Sequence, residues 1–226
     1  MLDHMPTPLV IIGAGGFGRE VLDIVNDINS RLGNSLTGRF EFIGFIDDGE
    51  PDMDRLSRIG ARYIGPSSSL NDLPKGCEYS IGIGSGVVRR TLDEAATAVG
   101  LKPATLIHSS ATFGADVRIS PGAVICAHVS VTTNVSIGRH AHINLNSTIG
   151  HDAVLADYST VNPLCAISGE VTVAEEAMVG TNSAINQGLT IGRGSIIGSG
   201  SAVTKSVEDH TLVAGVPAVA KKALPH

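Results

Sequence analysis

The chain has 226 residues, a formal net charge of −6, and a composition that is 42% hydrophobic and 17% charged. This balance is typical of a folded globular protein and excludes an intrinsically disordered one. The acidic charge argues against nucleic acid as a partner, because no basic surface is available to neutralise phosphates. No apolar run reaches the length of a membrane span, so we expect no membrane insertion.

The start of the chain and its cysteines indicate a cytoplasmic protein. No basic stretch followed by an apolar one opens the sequence, so no secretory signal is predicted. Residues 1–4, MLDH, are either native or a remnant of cloning. Cys77, Cys126 and Cys165 are odd in number, far apart and without a C-x-x-C spacing, which predicts reduced thiols. Both an enzyme and a scaffold fit these features.

The first part of the chain alternates strands and helices. PLVIIGAGGFG is an apolar strand that ends in a glycine turn, and REVLDIVNDINSRLG predicts a helix with Gly33 as its C-cap. The apolar face of that helix comprises Val21, Val25, Ile28 and Leu32. Further strands are predicted in FEFIGFIDD and YSIGIGSG, and a helix in VRRTLDEAATAVG. This alternation predicts a small Rossmann-like parallel sheet over residues 1–106.

The glycine turn indicates phosphate binding. Gly13, Gly15 and Gly18 match G-x-G-x-x-G at a strand-to-helix turn, where backbone N–H groups attract phosphate. The region is long enough for one mononucleotide-binding half, which favours a mononucleotide or nucleotide sugar over NAD. Asp47 and Asp48 end the second strand, where a carboxylate can accept hydrogen bonds from a ribose or base. A solvated turn is the alternative for this pair.

The second part of the chain is a hexapeptide repeat. An apolar residue returns every six positions, 17 times without a gap. These lead residues are Ile107, Phe113, Ile119, Ile125, Val131, Ile137, Ile143, Ile149, Leu155, Val161, Ile167, Val173, Val179, Ile185, Ile191, Ile197 and Val203. Such a repeat predicts a parallel β-helix, here over residues 107–226.

Within each unit we expect the lead residue to point inward and a small residue, four positions later, to turn the corner. Gly or Asn beside the corner is expected to adopt special backbone angles. The residues concerned are Gly138, Asn144, Gly150, Asn162, Gly180, Gly192 and Gly198. The resemblance to left-handed hexapeptide β-helices implies that three units form one triangular coil of eighteen residues.

One unit, IGHDAV, carries His151 followed by Asp152. An imidazole titrates near neutrality, and an adjacent carboxylate fixes its tautomer, so the pair suits general-base chemistry. In an eighteen-residue coil Thr133 and Gly169 stack on either side of His151, and since neither is a histidine we expect no metal site. A surface pair without function is the alternative, and His142 is then the next candidate base.

The sequence resembles the bacterial hexapeptide acyltransferases that N-acetylate nucleotide-linked amino sugars, of the bacillosamine and perosamine type, and the related sialic-acid O-acetyltransferase-like proteins. The matching stretches include IIGAGGFGREV, GFIDD, LIHSSATFGADVRISPGAVI, TIGHDAVLADYSTVNP and VTKSVEDHTLVAGVPA. The resemblance implies acetyl-CoA as donor and a homotrimer with active sites between adjacent β-helices. The implied pathway is bacterial glycan biosynthesis.

The resemblance also assigns residues. It places the catalytic base on His151 and its acidic partner on Asp152. It places the nucleotide-sugar contacts on Gly15, Gly16, Phe17, Asp47, Asp48 and Gly84. It places the acetyl-CoA groove near Thr160, Gly169, Thr181 and Ser199, and the N–H of Gly169 suits a tetrahedral oxyanion. Family members often carry histidine where this chain has Phe17, and some carry one where it has Thr160, which alters the polar contacts at both positions.

Three other functions compete with N-acetylation. O-acetylation of a sugar hydroxyl keeps the donor, a non-catalytic trimer would only bind nucleotide sugars, and NAD-dependent oxidoreduction rests on the glycine turn. An acyl donor longer than acetyl also fits the sequence. The catalytic pair argues against the non-catalytic trimer, and the nucleotide-like first part favours the amino sugar over sialic acid.

Overall fold

A computed structural model describes residues 5–31 and 39–225. The chain divides into two compact units. The first comprises Met1–Gly84 and Val88–Ser109, and the second comprises Ser85–Val87 and Ser110–His226. Leu32 and Gly33 of the predicted helix, and the MLDH segment, lie outside the described residues.

The first unit is a five-stranded parallel sheet with helices. Its elements are β1 (Thr7–Ile12), α1 (Gly16–Ser30), β2 (Phe40–Ile46), α2 (Met53–Arg58), β3 (Tyr63–Gly65), a 3₁₀ helix (Ser67–Asp72), β4 (Glu78–Ile81), α3 (Gly86–Ala98), β5 (Lys102–Pro103) and β6 (Leu106–Ile107). The strand order is β3-β2-β1-β4-β5, with every pair parallel. This confirms the predicted Rossmann-like sheet.

The core of the sheet unit lies between the strands and the apolar faces of the helices. Val21 and Val25 of α1 are fully buried, as their helical spacing predicts, whereas Ile28 is half-buried. The helix ends at Ser30 with Arg31 as its C-cap. Short elements such as α2 and β3 were not predicted, because their few residues carry too little periodicity to separate them from loops.

The second unit is a left-handed parallel β-helix. Its strands are β7 (Thr112–Phe113), β8 (Arg118–Ile119), β9 (Val124–Ile125), β10 (Ser130–Val131), β11 (Ser136–Ile137), β12 (His142–Ile143), β13 (Thr148–Ile149), β14 (Val154–Leu155), β15 (Thr160–Val161), β16 (Ala166–Ile167), β17 (Thr172–Val173), β18 (Met178–Val179), β19 (Ala184–Ile185), β20 (Thr190–Ile191), β21 (Ile196–Ile197), β22 (Ala202–Val203), β23 (Thr211–Gly215) and β24 (Ala218–Ala223).

These strands form three faces. One face runs β22-β19-β16-β13-β10-β7, the second β20-β17-β14-β11-β8, and the third includes β24-β23-β21-β18-β15-β12-β9. From β7 to β19, each repeat strand pairs with the strand eighteen residues on, as Ser130 pairs with Thr148 and His142 with Thr160. The predicted coil of three hexapeptides is confirmed, and the unit ends in the antiparallel β23–β24 hairpin.

The interior of the β-helix is the column of lead residues. From Ile125 to Val203 every lead residue is buried, which confirms the inward orientation. The prediction was wrong for the start of the repeat, where Phe113 is 38% exposed and Ile119 is half-buried. These two residues lie in β7 and β8, which are edge strands of their faces and therefore pair with a coil on one side only.

The backbone angles at the corners differ from the prediction. From Phe113 to Ile197, the positive φ falls on the third residue after each lead residue, as in Asn134, Asp152 and Glu170, with φ between 57° and 61° in these three. None of the seven predicted residues, Gly138, Asn144, Gly150, Asn162, Gly180, Gly192 and Gly198, has a positive φ. The glycines are needed for space instead. A Cβ on Gly150, for example, would collide with the backbone of Ser168 and Gly169 in the next coil.

Candidate active site

His151 and Asp152 occupy the corner between β13 and β14. The corner turns at Asp152, whose φ is +61°, and its backbone N–H donates to the carbonyl of Thr133 at 3.0 Å. Both side chains are accessible, with 49% of His151 and 47% of Asp152 exposed. The fold therefore presents the pair to solvent on a rigid backbone.

The two side chains form a hydrogen-bonded dyad. Nδ1 of His151 lies 2.7 Å from Oδ2 of Asp152. This bond, together with one from Asn134, holds the pKa of the Asp152 carboxyl below its usual value. An ionised carboxylate only accepts hydrogen bonds, so Nδ1 carries the proton and Nε2 presents the free lone pair. The arrangement can therefore remove a proton at Nε2.

Gly169 lies directly above the imidazole. A Cβ added to Gly169 would overlap Nε2 and Cε1 of His151, so the ring occupies the space that a side chain would fill. Every other position two residues after a lead residue, from Ser109 to Lys205, carries a side chain, so the backbone there does not demand glycine. The N–H of Gly169 donates no hydrogen bond within residues 5–31 and 39–225.

Glu170 is a member of this corner that sequence reasoning missed. His151, Asp152 and Glu170 each offer one ligand atom, and these atoms lie within 4.8 Å of one another. The sequence carries the signal for this neighbour, since Glu170 follows Asp152 by eighteen residues, which is one coil. The expectation of no metal rested on the lack of a second imidazole stacked on His151. The close carboxylate instead makes this corner locally anionic, while Nδ1 of His151 is already bonded to Asp152.

The residues predicted for acetyl-CoA lie at three places in the β-helix. Gly169 is at the His151 corner, and Thr181 and Ser199 stack at the corner that precedes β19 and β22. Thr160 lies in β15 and is only 2% exposed. Its strand partner is His142, which is 1% exposed and therefore presents no accessible base in this chain.

The glycine turn of the sheet unit leaves two glycines open. Gly15 is the N-cap of α1 and Gly16 its first residue, and a Cβ at either would meet nothing within 4 Å. Gly13 and Gly18 serve packing, because Gly13 has φ +104° and a Cβ on Gly18 would collide with the Gly13 carbonyl. Phe17, in the same turn, is half-buried. The exposed start of α1 is the part of the turn that a phosphate can reach.

Asp47 and Asp48 line a cavity of about 230 Å³ in the sheet unit, beside Gly13 and Ile83. The Asp47 carboxylate accepts the N–H of Ala14 at 2.7 Å through one oxygen and that of Gly49 at 2.8 Å through the other. One oxygen of Asp48 accepts the N–H of Ser67 at 2.7 Å. The acidic pair therefore shapes the turn as well as facing the cavity.

The loop that contains Gly84 is held by a buried arginine. Nη1 of Arg89, which is 0% exposed, donates to the carbonyls of Ile83 and Gly84 at 2.9 Å each. Since Ile83 also lines the cavity beside Asp47, Arg89 fixes one wall of that cavity. Sequence reasoning did not single out Arg89, because its burial is not visible in the helix pattern.

A parallel β-helix of hexapeptide repeats with a histidine–carboxylate pair at one corner defines the class of hexapeptide-repeat acyltransferases. The family model for the PglD N-terminal domain matches residues 8–95. The chain is 31% identical over 165 residues to GDP-perosamine N-acetyltransferase of Escherichia coli O157:H7, covering 72% of this chain and 71% of that relative. The chain belongs to the family of nucleotide-sugar N-acetyltransferases and is an acyltransferase.

Solved structures agree with this assignment. PerB from Caulobacter crescentus, in complex with CoA and GDP-perosamine, has a TM-score of 0.83 and 27% identity, covering 95% of this chain and 97% of PerB. The acetyltransferase domain of PglB from Neisseria gonorrhoeae FA1090, in complex with acetyl coenzyme A, has a TM-score of 0.81 and 26% identity, covering 96% and 100%. Across the described part of this chain, the helices are all too short or too polar to traverse a bilayer.

Proposed function

We propose that the protein transfers the acetyl group of acetyl-CoA to the amine of a nucleotide-linked amino-deoxy sugar, with His151 as the general base. The observation that carries the proposal is the dyad of His151 and Asp152 beneath the backbone of Gly169. The relatives' CoA and GDP-perosamine complexes support the choice of substrates. The cytoplasm, where we place the enzyme, suits its three free cysteines, all of them buried.

The chemistry follows from the protonation of the dyad. Nε2 of His151 takes a proton from the sugar amine as the nitrogen attacks the thioester carbonyl carbon. Asp152 stabilises the imidazolium that forms, through the 2.7 Å bond to Nδ1. The C–S bond of the tetrahedral intermediate then breaks, and the CoA thiolate takes the proton back from Nε2. Each cycle therefore returns the imidazole to its starting state.

Gly169 supplies the oxyanion contact in this scheme. Its N–H has no partner among the described residues, and the Cβ position of Gly169 lies against Nε2 of His151. A backbone N–H of this kind stabilises the negative oxygen of a tetrahedral intermediate without reorganisation, because the coil fixes its position. Base and oxyanion donor thus come from stacked coils of the same corner.

The two substrates bind through different parts of the chain. We assign the nucleotide sugar to Gly15, Gly16, Phe17 and Gly84 and to the acidic pair Asp47 and Asp48. We assign acetyl-CoA to Gly169, Thr181 and Ser199, and leave out Thr160 because it is buried in β15. A cavity bordered by carboxylates suits a nucleoside, whose ribose and base carry hydrogen-bond donors.

We further propose a homotrimer with its active sites between adjacent β-helices. Thr181 and Ser199 lie at a different corner of the prism from His151, so a donor that touches both sets is best accommodated between two copies. Light scattering at micromolar concentration should return three times the chain mass. A monomer mass from a fully active sample would contradict the shared site.

The activity test is a panel of nucleotide-linked amino sugars incubated with acetyl-CoA, followed by release of free CoA thiol. The protein's own cysteines should contribute little to the signal. All three are buried, and burial raises the pKa of the Cys77 thiol to about 11. Matched sugars with a hydroxyl in place of the amine, and longer acyl-CoA donors, complete the panel. Thiol release with the hydroxyl sugars alone would replace N-acetylation by O-acetylation.

A further inference from the structure

We infer that Asn134 is a positioning residue for catalysis: its side-chain amide fixes the carboxylate of Asp152 so that one oxygen is reserved for His151. The inference rests on the proposed function of the dyad. Asn134 lies one coil before Asp152, eighteen residues earlier, and its Nδ2 donates to Oδ1 of Asp152 at 3.1 Å. The other oxygen, Oδ2, is the one that bonds His151.

The contacts of Asp152 divide its two oxygens between two partners. Within the described residues, Oδ1 is bonded only by Asn134 and Oδ2 only by His151. Because Asp152 is 47% exposed, packing alone does not hold the carboxylate in one rotamer. Without the amide the carboxylate is free to rotate, and both the angle and the strength of its bond to Nδ1 change.

The residues stacked above and below Asp152 in neighbouring coils explain why its hydrogen-bond donor comes from the preceding coil. Asp116, Asn134, Asp152 and Glu170 follow one another at eighteen-residue steps, all with positive φ. Glu170 above Asp152 is a carboxylate and offers no donor when ionised, and its charge repels that of Asp152. Asn134 is the one neutral side chain of the four, so it separates two acids and donates to the second.

The first test is a substitution series with a matched control. Asn134→Ala should lower kcat about tenfold, the lower end of the effect of losing a hydrogen bond to a charged group, with little change in either KM. Asn146→Ala is the control, because Asn146 is also exposed and has the same φ of 57°, but among the described residues its side chain makes no hydrogen bond to the dyad. Alanine at a positive φ costs the same backbone strain in both variants. Only Asn134→Ala also loses the hydrogen bond to Asp152, so kcat should fall only in that variant.

A double-mutant cycle separates positioning from a general structural role. If Asn134 acts through Asp152, then Asn134→Ala should change kcat less than twofold when Asp152 is already alanine. An equal loss of kcat in both backgrounds would overturn the inference. So would a loss no larger than that of Asn146→Ala.

A second measurement needs no substrate and therefore distinguishes this inference from the proposed function. Nitrogen spectra of histidine-labelled protein, with His151 identified by its loss in His151→Asn, report which ring nitrogen carries the proton. Wild type and Asn146→Ala should show one tautomer, protonated on Nδ1, and Asn134→Ala a mixture of two. An unchanged tautomer in Asn134→Ala overturns the inference, whereas an inactive wild type with the expected spectra overturns only the proposed function.

Discussion

The two units of the chain hold their polar sites together in different ways. In the sheet unit, the carboxylate of Asp47 is already bonded through both oxygens to the backbone of its own turns. In the β-helix unit, Nε2 of His151 and the N–H of Gly169 have no partner among the described residues. The first site is held together by the groups expected to bind ligand. The second is held by the coil backbone, which leaves its reactive groups free.

This difference predicts how substitutions behave in each unit. A change at the sheet site should alter stability and binding together, because the same oxygens serve both. A change at the dyad should alter turnover and leave stability almost unchanged, because exposed corner side chains contribute little to folding. Substitutions in each unit, with turnover, ligand binding and stability measured side by side, test this contrast.

The strongest test of the β-helix site is His151→Ala. Removing the general base should lower kcat by about 10²–10⁴-fold with little change in either KM, since proton removal belongs to the transition state. His151→Asn should lose nearly as much, because an amide cannot take the proton. Steady-state kinetics with a melting curve measure both halves of the prediction. If His151→Ala retained half the wild-type turnover, another residue would have to be the general base.

Gly169→Ala tests whether the coil above sets the orientation of the imidazole. The added Cβ overlaps the ring of His151 but leaves the N–H of residue 169 in place, so the variant moves the base and keeps the oxyanion donor. A displacement of about 1 Å should lower kcat roughly 10²-fold. Gln187→Ala, at the equivalent position one coil further, is the control. Normal turnover in Gly169→Ala would mean that the ring is oriented by Asp152 alone.

Asp47→Ala and Asp48→Ala test the sheet site. Each should weaken nucleotide-sugar binding by about tenfold to 150-fold, corresponding to roughly 1.5–3 kcal/mol, and leave acetyl-CoA affinity unchanged. Asp47→Ala should also lower the free energy of unfolding by about 1–3 kcal/mol, because the N–H of Ala14 loses its acceptor. Calorimetry with each ligand measures whether only the nucleotide-sugar affinity changes. The control is Asp23→Ala, since Asp23 is exposed. Equal losses for both ligands would contradict it.

The smallest effect is expected from Glu170→Gln. The carboxylate of Glu170 lies within 4.8 Å of ligand atoms of the dyad and favours the imidazolium, but the site is exposed and screened. The variant should lower kcat about two- to fivefold at low salt, and the difference should shrink as salt is added. A loss that does not depend on salt would indicate a direct contact with substrate instead.

The sequence predicts the β-helix better than the sheet unit for a physical reason. A six-residue period repeated from Ile107 to Val203 fixes which residues face inward and which lie one coil apart. The neighbours of Asp152, Asn134 and Glu170, follow from that spacing, as do Thr133 and Gly169 on either side of His151. The prediction for the corner glycines was wrong in its physical reason. Glycine was expected there because of special backbone angles, whereas at Gly150 it is required because neighbouring coils approach closely.

The sheet unit offers no such spacing. The contact of Asp47 with Ala14 joins residues 33 positions apart, and that of Asp48 with Ser67 joins residues 19 apart. These distances depend on loop lengths and on short elements that carry no periodic signal. The burial of Arg89 and its bonds to Ile83 and Gly84 depend in the same way on tertiary packing. In the sheet unit, the sequence therefore predicts the parallel sheet and the glycine turn. It does not predict the hydrogen bonds that join one turn to another.

Because one coil contains eighteen residues, residues eighteen positions apart stack on the same edge of the prism, and residues six apart lie on successive edges. Inserting one hexapeptide before β13 would carry IGHDAV to the next edge of the prism and point the dyad a third of a turn away. Inserting three would keep its edge and move it one coil along the axis. The number of hexapeptides that precede His151 therefore determines the edge of the prism on which it lies. That edge in turn determines which neighbouring surface the dyad faces.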